Sequence, residues 1–189
     1  KKLPELMRFE ANTEDAVRPS ARVTAPNGES LFTTDPTMNQ WLSKQLDHPV
    51  SLWPLLPAQQ LEHYRRGAPD NEDFEQELRT IFGRLPDEPL PDMALFADVI
   101  EFESPPGTYF DAYPLHLLSV QSLHSLAAAH PQQHFDVRRF RPNILIDLPT
   151  IDHPYPETTL TGKEIRIGTT TLHIVGPCPR CSMTTQGFS

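Results

Sequence analysis

Proline is the feature that most limits what this chain can fold into. The 189 residues include 21 prolines and only 8 glycines, whereas proline averages about 5% of residues in proteins. Proline lacks a backbone N–H and fixes φ, so it interrupts helices and is confined to the edges of sheets. The composition therefore argues against a helical bundle and predicts short strands joined by stiff loops.

The order of apolar and turn-forming residues predicts a mixture of short strands and short helices. Asn27-Gly28 within residues 22–32 and Gly168-Thr169 within residues 164–174 supply the turns of two hairpins. Apolar residues at helical spacing predict three helices: one opened by Asp35-Pro36 and stopped by His48-Pro49, one over residues 72–82 closed by Gly83, and one running from the cap Ser119 to His130-Pro131. This order is typical of an α+β domain, and we expect its strands to form a β-barrel.

Acidic residues are concentrated in one central segment. The chain has a formal net charge of −9. Residues 67–103 hold 11 Asp and Glu against two Arg, a balance of −9, so the remaining residues are neutral as a group. Because such a chain would repel phosphates, no nucleic-acid partner is expected. The segment is interpreted as a solvated face or a mobile excursion, with a docking patch for a basic partner as the alternative.

The sequence disfavours both membrane insertion and secretion. No apolar run approaches the about 18–20 residues that span a bilayer, so no transmembrane helix is expected. The first six residues lack the apolar core of a secretory signal. Only two cysteines are present, Cys178 and Cys181, fewer than a disulfide-stabilised secreted fold carries. We therefore expect a cytoplasmic protein without a membrane partner.

The strongest local motif is residues 176–181, Gly-Pro-Cys-Pro-Arg-Cys, which follows a predicted strand. A thioredoxin-type dithiol is disfavoured, because that motif lies early in its fold and only eight residues follow Cys181. A zinc site is disfavoured, because one cysteine pair and scattered histidines do not supply four ligands at the usual spacing. Two interpretations stay open: a single metal-ligating or sulfur-bearing thiolate favoured by Arg180, or two inert cysteines at a strand end.

A cluster of arginines precedes the predicted strand over residues 143–147. Arg138, Arg139 and Arg141 offer forked donors that suit phosphate or another oxyanion. The alternative is that the arginines only mark the start of the strand and form ion pairs with Asp136 and Asp147. Asn143 opens the strand and carries both a donor and an acceptor. Upstream, Asp111 lies in a loop just before a capped helix, where an Asp is usually a turn-former.

Three segments of the chain resemble MOSC domains, the C-terminal domains of molybdenum cofactor sulfurases. Residues 135–147 contain the Arg-Phe-Arg-Pro-Asn sequence of such a strand, and residues 178–185 contain Cys-Pro-Arg-Cys followed by Thr-Thr. The segment from Phe110-Asp111 to Leu123 is similar to the one that precedes these motifs in the family. The motifs occur in the family's order and spacing, and the resemblance covers residues 107–185.

The resemblance implies a β-barrel domain that binds the molybdenum cofactor (molybdopterin). In molybdenum-binding members, which include the mitochondrial amidoxime-reducing component, the second cysteine of the motif ligates the metal. That cysteine is Cys181 here, so it is expected to be the metal ligand and the catalytic residue. The cofactor-contacting positions of the family fall on Arg141, Asn143 and Asp111, while Arg180 and Thr184 match motif positions with less defined roles.

The resemblance also implies a function. We expect an oxidoreductase that acts without pyridoxal phosphate and reduces N-hydroxylated small molecules. Electrons would come from a separate flavin or iron–sulfur protein, because this chain has no Gly-rich dinucleotide fingerprint and too few cysteines for a cluster. The alternative is a sulfur carrier that holds a persulfide on Cys181, or a cofactor-binding module without redox turnover.

The chain is expected to have two parts. Residues 1–106 form an N-terminal region with strands, two helices and the acidic segment, and residues 107–189 form the core of the MOSC-like domain. Family members usually open with a Lys-Ser strand that reaches the cofactor phosphate, and this sequence has no such segment. They also continue past the Thr-Thr segment, whereas Gln186-Gly187 departs from their usual continuation. The domain is therefore expected to be truncated at its C-terminal end.

Overall fold

A computed structural model describes residues 3–13, 20–93 and 101–185, and the chain divides into two compact units. Unit 1 comprises the described residues up to Arg65 together with Pro106–Tyr109. Unit 2 comprises those within Arg66–Pro105 and Phe110–Thr185. The domain boundary after residue 106 stays a prediction.

Unit 1 contains an antiparallel sheet of three short strands. These are β1 (Glu10–Asn12), β2 (Arg22–Thr24) and β3 (Ser30–Phe32), in the order β1-β2-β3. The β2–β3 pairing confirms the first predicted hairpin. Its turn contains Gly28 at a φ of 86°, a conformation that glycine adopts without steric cost.

The helices of unit 1 are α1 (Met38–Gln45) and the single turn α2 (Leu61–Tyr64). The carboxylate of Asp35 accepts a hydrogen bond from the Thr37 N–H at 2.8 Å. This local turn occupies the residues before Met38, so α1 begins two residues later than the predicted Pro36. The buried apolar side chains of the unit are those of Ala25, Met38, Leu42 and Tyr64.

Unit 2 alternates helices with two small sheets. Its elements are α3 (Phe74–Phe82), β4 (Leu117–Ser119), α4 (Val120–Ala129), β5 (Ile144–Ile146), β6 (Glu164–Ile167) and β7 (Thr170–His173). Strands β4 and β5 pair in parallel, with α4 in the connection between them. Strands β6 and β7 pair antiparallel around Gly168, which confirms the second predicted hairpin.

The predicted helix boundaries in unit 2 follow from capping chemistry. Asp73 accepts hydrogen bonds from the backbone of Glu75 and Gln76 at the start of α3, and Gly83 ends that helix at a φ of 61°. At the start of α4, the Ser119 hydroxyl accepts from the Ser122 N–H at 3.1 Å. These caps confirm the sequence assignment of both helices.

The fold class is α+β, as predicted, but the barrel is not confirmed. The strands of the described residues form three separate sheets of three, two and two strands, and none of these sheets closes on itself. Short strands between prolines leave few ladder hydrogen bonds with which to extend a sheet. The predicted strand over residues 99–102 lies partly outside the described residues.

The helices are short as well. The longest in the described part of the chain, α4, has 10 residues. Across that same part, no helix combines the length and the apolar character that crossing a membrane requires.

Gly107 provides a direct test of the backbone geometry in unit 1. It has a φ of 83°, and an added Cβ would lie 3.0 Å from the Cβ of Ala58. We predict that Gly107→Ala lowers the free energy of unfolding by about 1–3 kcal/mol, because an L side chain strains this conformation. Chemical denaturation measures the change.

The matched control is Gly67→Ala, since an added Cβ at Gly67 meets nothing within 4 Å. Its effect should stay within about 0.5 kcal/mol. Equal unfolding midpoints for the two variants would contradict the assigned geometry at Gly107.

Candidate functional site

Asn143 clamps two strands of unit 2 together. It lies directly before β5, and His116 lies directly before β4. The Asn143 Oδ1 accepts from the His116 N–H at 2.8 Å, and the Asn143 N–H donates to the His116 carbonyl at 2.8 Å. The side chain therefore extends the β4–β5 pairing by one residue. Within the described residues, the Nδ2 amide of Asn143 has no hydrogen-bond partner.

The carbonyl oxygen of Phe140 joins this clamp to the cysteine motif. It lies 3.1 Å from Nδ1 of His116 and accepts a hydrogen bond from Nη2 of Arg180 at 2.9 Å. The guanidinium carbon of Arg180 also lies 5.9 Å from the centre of the Phe140 ring. The segment that precedes β5 and the segment that contains both cysteines are thus held by one acceptor.

Arg180 contacts the first cysteine of the motif. Its Nη1 donates to the sulfur of Cys178 at 3.2 Å. Both cysteines are free thiols, with Cys178 exposed and Cys181 partly buried. The sequence placed Arg180 between the two cysteines, and of these two residues the structure shows a hydrogen bond to Cys178.

Cys181 lies at the start of a tight turn over Ser182–Thr185. Both the hydroxyl and the N–H of Thr184 donate to the Cys181 carbonyl, at 3.1 Å and 3.2 Å. Nη1 of Arg139 donates to the Thr184 carbonyl at 3.3 Å. The hydroxyl of Thr184 therefore stabilises the Cys181 turn. Arg139, which precedes β5 in the sequence, stabilises the same turn through the Thr184 carbonyl.

Two arginines near this turn have buried donors without acceptors. The Nε atoms of Arg139 and Arg180 are both buried, and neither has a hydrogen-bond partner in the part of the chain that the structure describes. A buried charged donor without a partner costs at least about 1–3 kcal/mol. Because Arg139 contacts the Thr184 carbonyl and Arg180 contacts Cys178, two such donors near the cysteine motif indicate a place where an anionic group would be stabilised.

The predicted arginine cluster divides into separate roles. Arg138 pairs with Asp136 at 2.6 Å, and hydrogen bonds from Arg138 lower the pKa of Asp136 to about 2. Arg139 holds the Cys181 turn. Arg141 is exposed, and its φ of 50° is a left-handed conformation that is uncommon outside glycine. The interpretation as an ordinary ion pair at the strand entry thus applies to Arg138. Arg139 and Arg141 remain candidates for binding an oxyanion.

Asp111 is not brought into this arrangement. It is exposed on a bend before β4. Among the described residues, no hydrogen bond or ion pair links Asp111 to Cys181, Arg141 or Asn143. Its assignment as a cofactor contact stays a prediction.

A buried polar network, missed by the sequence analysis, supports the clamp. The Glu157 carboxylate accepts from the Ser119 hydroxyl at 2.5 Å and from the Ser122 hydroxyl at 2.6 Å. The two serines are 0% and 2% exposed. This network fixes the junction of β4 and α4, three residues after His116. The capping serine was visible in the sequence, but nothing there indicated a carboxylate partner 38 residues away.

The described residues around the cysteine turn offer few further metal ligands. Within the described residues, no group of three or more His, Cys, Asp or Glu side chains is placed to hold a metal ion. Unit 2 instead presents one partly buried free thiol, Cys181, on a turn flanked by arginines. Such a site suits a metal that arrives with ligands of its own and takes one thiolate from the protein.

A comparison with known protein families matches the part of the chain that contains this turn. A family model described as the MOSC domain matches residues 105–189. That segment belongs to the MOSC domain family, as the motifs indicated, and it includes the Asn143 clamp and the cysteine turn. No curated protein and no solved structure matches the chain.

His116 makes the clamp sensitive to pH. Burial lowers the pKa of His116 below its usual value of 6.5, and the positive charge of Arg180 lowers it further. As the pH falls below about 6.5, the unfolded chain binds this proton before the folded chain does, so stability decreases. We predict that wild type loses more unfolding free energy than His116→Gln between about pH 7.5 and about pH 5.5.

Denaturant titrations at the two pH values measure this difference. The matched control is His173→Gln, at an exposed position of β7, which should retain the wild-type loss. Equal losses in wild type and in His116→Gln would show that protonation of this histidine does not weaken the fold.

Proposed function

We propose that the MOSC segment binds the molybdenum cofactor with Cys181 as the molybdenum ligand. The observation that supports the proposal most is the position of Cys181. Its free thiol lies on a turn that Arg139 and Thr184 fix, next in sequence to Arg180. Both arginines have buried Nε donors that find no acceptor among the described residues.

The residues present fit such a group. A thiolate is a ligand for soft metals, and the thiol of Cys181 is not engaged in a disulfide. The cofactor also carries a phosphate, and unpaired guanidinium N–H groups are suited to it. Arg141 is exposed, and the Nδ2 of Asn143 offers a further donor that the clamp does not use.

Each residue would have its own task. Cys181 would hold the metal, while Arg139 and Arg180 would donate to anionic groups of the cofactor. Thr184 would keep the Cys181 backbone in place, and Asn143 would orient the cofactor through its free amide. When bound, the cofactor would supply two-electron redox chemistry at the metal.

We further propose that the activity is the reduction of small N-hydroxylated compounds. Electrons would be delivered by a separate flavin or iron–sulfur protein. The support for this substrate class is the family of residues 105–189. The same proposal places the protein in the cytoplasm and includes Asp111 among the cofactor contacts.

A sulfur carrier is the second candidate function. The observation that favours it is the pair of free thiols three residues apart, with an Arg180 donor on the sulfur of Cys178. A carrier would hold a persulfide on Cys181 and would need no metal. Intact-protein mass spectrometry detects such a persulfide as an added sulfur atom that a reductant removes.

The cysteines provide the test of the cofactor proposal. We predict that Cys181→Ser loses nearly all bound molybdenum and pterin, because a hydroxyl is a poor ligand for a soft metal. Cys178→Ser should keep most of both. The measurement is metal content by plasma mass spectrometry together with pterin fluorescence, on protein from a host that makes the cofactor.

Cys178→Ser is the matched control, since it removes the same atom from the other end of the motif. Equal loss in both variants would contradict the single-ligand assignment. A wild-type protein that carries a persulfide but no molybdenum would favour the sulfur carrier instead.

A further inference from the structure

Arg84 belongs to the acidic segment and lies outside the MOSC match, yet its neighbour Gly83 lies against the turn that follows Cys181. Helix α3 ends at Gly83, whose left-handed φ reverses the chain, and the Arg84 N–H then donates to the Arg79 carbonyl at 2.9 Å. The position of Arg84 is therefore set by the end of the helix.

The end of α3 lies directly against the turn that follows Cys181. A Cβ added to Gly83 would lie 3.5 Å from the Cβ of Ser182 and 3.8 Å from its Cα. Ser182 is the residue after Cys181, so the backbone at Gly83, the neighbour of Arg84, runs beside the start of this turn. The C-terminus of α3 thus joins the surroundings of the candidate site.

Arg84 has a buried donor without a partner. Its Nε is buried and has no hydrogen-bond partner within the described residues, as is also the case for Arg139 and Arg180. Among the described residues, these three Nε atoms are the buried side-chain donors that lack a hydrogen-bond partner. One contacts the turn through Thr184, one lies in the motif itself, and Arg84 follows the glycine that packs on Ser182.

Among the described residues, the surrounding acids do not supply a partner for the Arg84 Nε. Residues 67–103 contain 11 acids and only two bases, Arg79 and Arg84. Arg79 pairs with Glu75 at 2.9 Å and also donates to two backbone carbonyls. Glu88, four residues after Arg84, accepts from the Leu85 N–H instead. Within the described residues, an arginine in the most acidic part of the chain thus buries a donor that has no partner, which is expected if its partner is an anion from outside.

We propose that Arg84 is the third arginine of an anion-binding cluster around the Cys181 turn, built for a tetrahedral oxyanion of the phosphate class. Two sources share this chemistry: the phosphate of a bound pterin cofactor and free inorganic phosphate. Only the pterin source rests on the proposed function. The proposal also gives the acidic segment a role besides that of a solvated face, because the segment contributes the guanidinium group of Arg84 to the site.

The experiment measures binding of inorganic phosphate by calorimetry to protein from a host that makes no molybdenum cofactor. Arg84→Met keeps the apolar stem and removes the donors, so phosphate affinity should fall by about tenfold or more. The matched control is Arg166→Met. It removes the same charge from unit 2, but the Nε of Arg166 donates to the Gly168 carbonyl in an exposed hairpin. Its affinity should stay within about twofold of wild type.

Thermal unfolding separates anion binding from a structural role. Phosphate should raise the unfolding temperature of wild type and of Arg166→Met but not of Arg84→Met. If Arg84→Met does not fold, Arg84→Lys keeps the charge without the Nε donor and should show a partial loss of affinity. Phosphate binding that is equal in wild type and the Arg84 variants, or absent in wild type, would overturn the proposal.

Protein from a cofactor-making host then distinguishes the source of the anion. A loss of pterin in Arg84→Met, alongside the loss of phosphate affinity, identifies the cofactor phosphate. Unchanged pterin with lost phosphate affinity identifies free phosphate. If wild type holds no molybdenum but binds phosphate through Arg84, the cofactor proposal fails while the anion cluster stands.

Discussion

The carbonyl oxygen of Phe140 is the acceptor on which the geometry of the candidate site depends. His116 approaches it from the strand β4, and Arg180 approaches it from the cysteine motif. Asn143, three residues further on, ties the same segment to His116 by two hydrogen bonds. A shift of the segment before β5 would therefore move both the clamp and the cysteines. This coupling brings residues that are distant in the sequence close to the Cys181 turn.

Polar contacts have this importance because unit 2 buries little apolar surface. Its buried apolar side chains within the described residues are Leu78 and Leu118, at 8% and 9% exposure, and the fully buried Pro156. Short strands between prolines cannot build a broad sheet. The hydrogen bonds that two buried serines donate to Glu157 therefore stabilise the interior of the unit where apolar packing is limited. The acidic segment fits this scheme, because its helix α3 contributes Leu78 to the interior.

The parts of the fold that could be predicted from sequence are those fixed by local chemistry. The turn at Gly28 specifies the first hairpin, and Asp73, Gly83 and Ser119 fix the ends of their helices through bonds within a few residues. The motifs also located the family correctly. The polar network of Glu157 and Ser119 could not be predicted, because these residues are 38 positions apart in the sequence and come together only in the folded chain. The unpaired donors of Arg139 and Arg84 are likewise a property of packing that no spacing in the sequence reveals, and the barrel expected from the family is not formed by the described strands.

The most direct test of the account is X-ray absorption at the molybdenum edge, on protein purified from a host that makes the cofactor. The account predicts that the metal has one protein sulfur ligand in addition to the sulfurs of its cofactor. This ligand should be present in wild type and in Cys178→Ser, whereas Cys181→Ser should retain little molybdenum, and any metal that remains should lack this ligand. A molybdenum centre whose sulfur coordination is the same in all three proteins would contradict the assignment of Cys181 and, with it, the site described for unit 2.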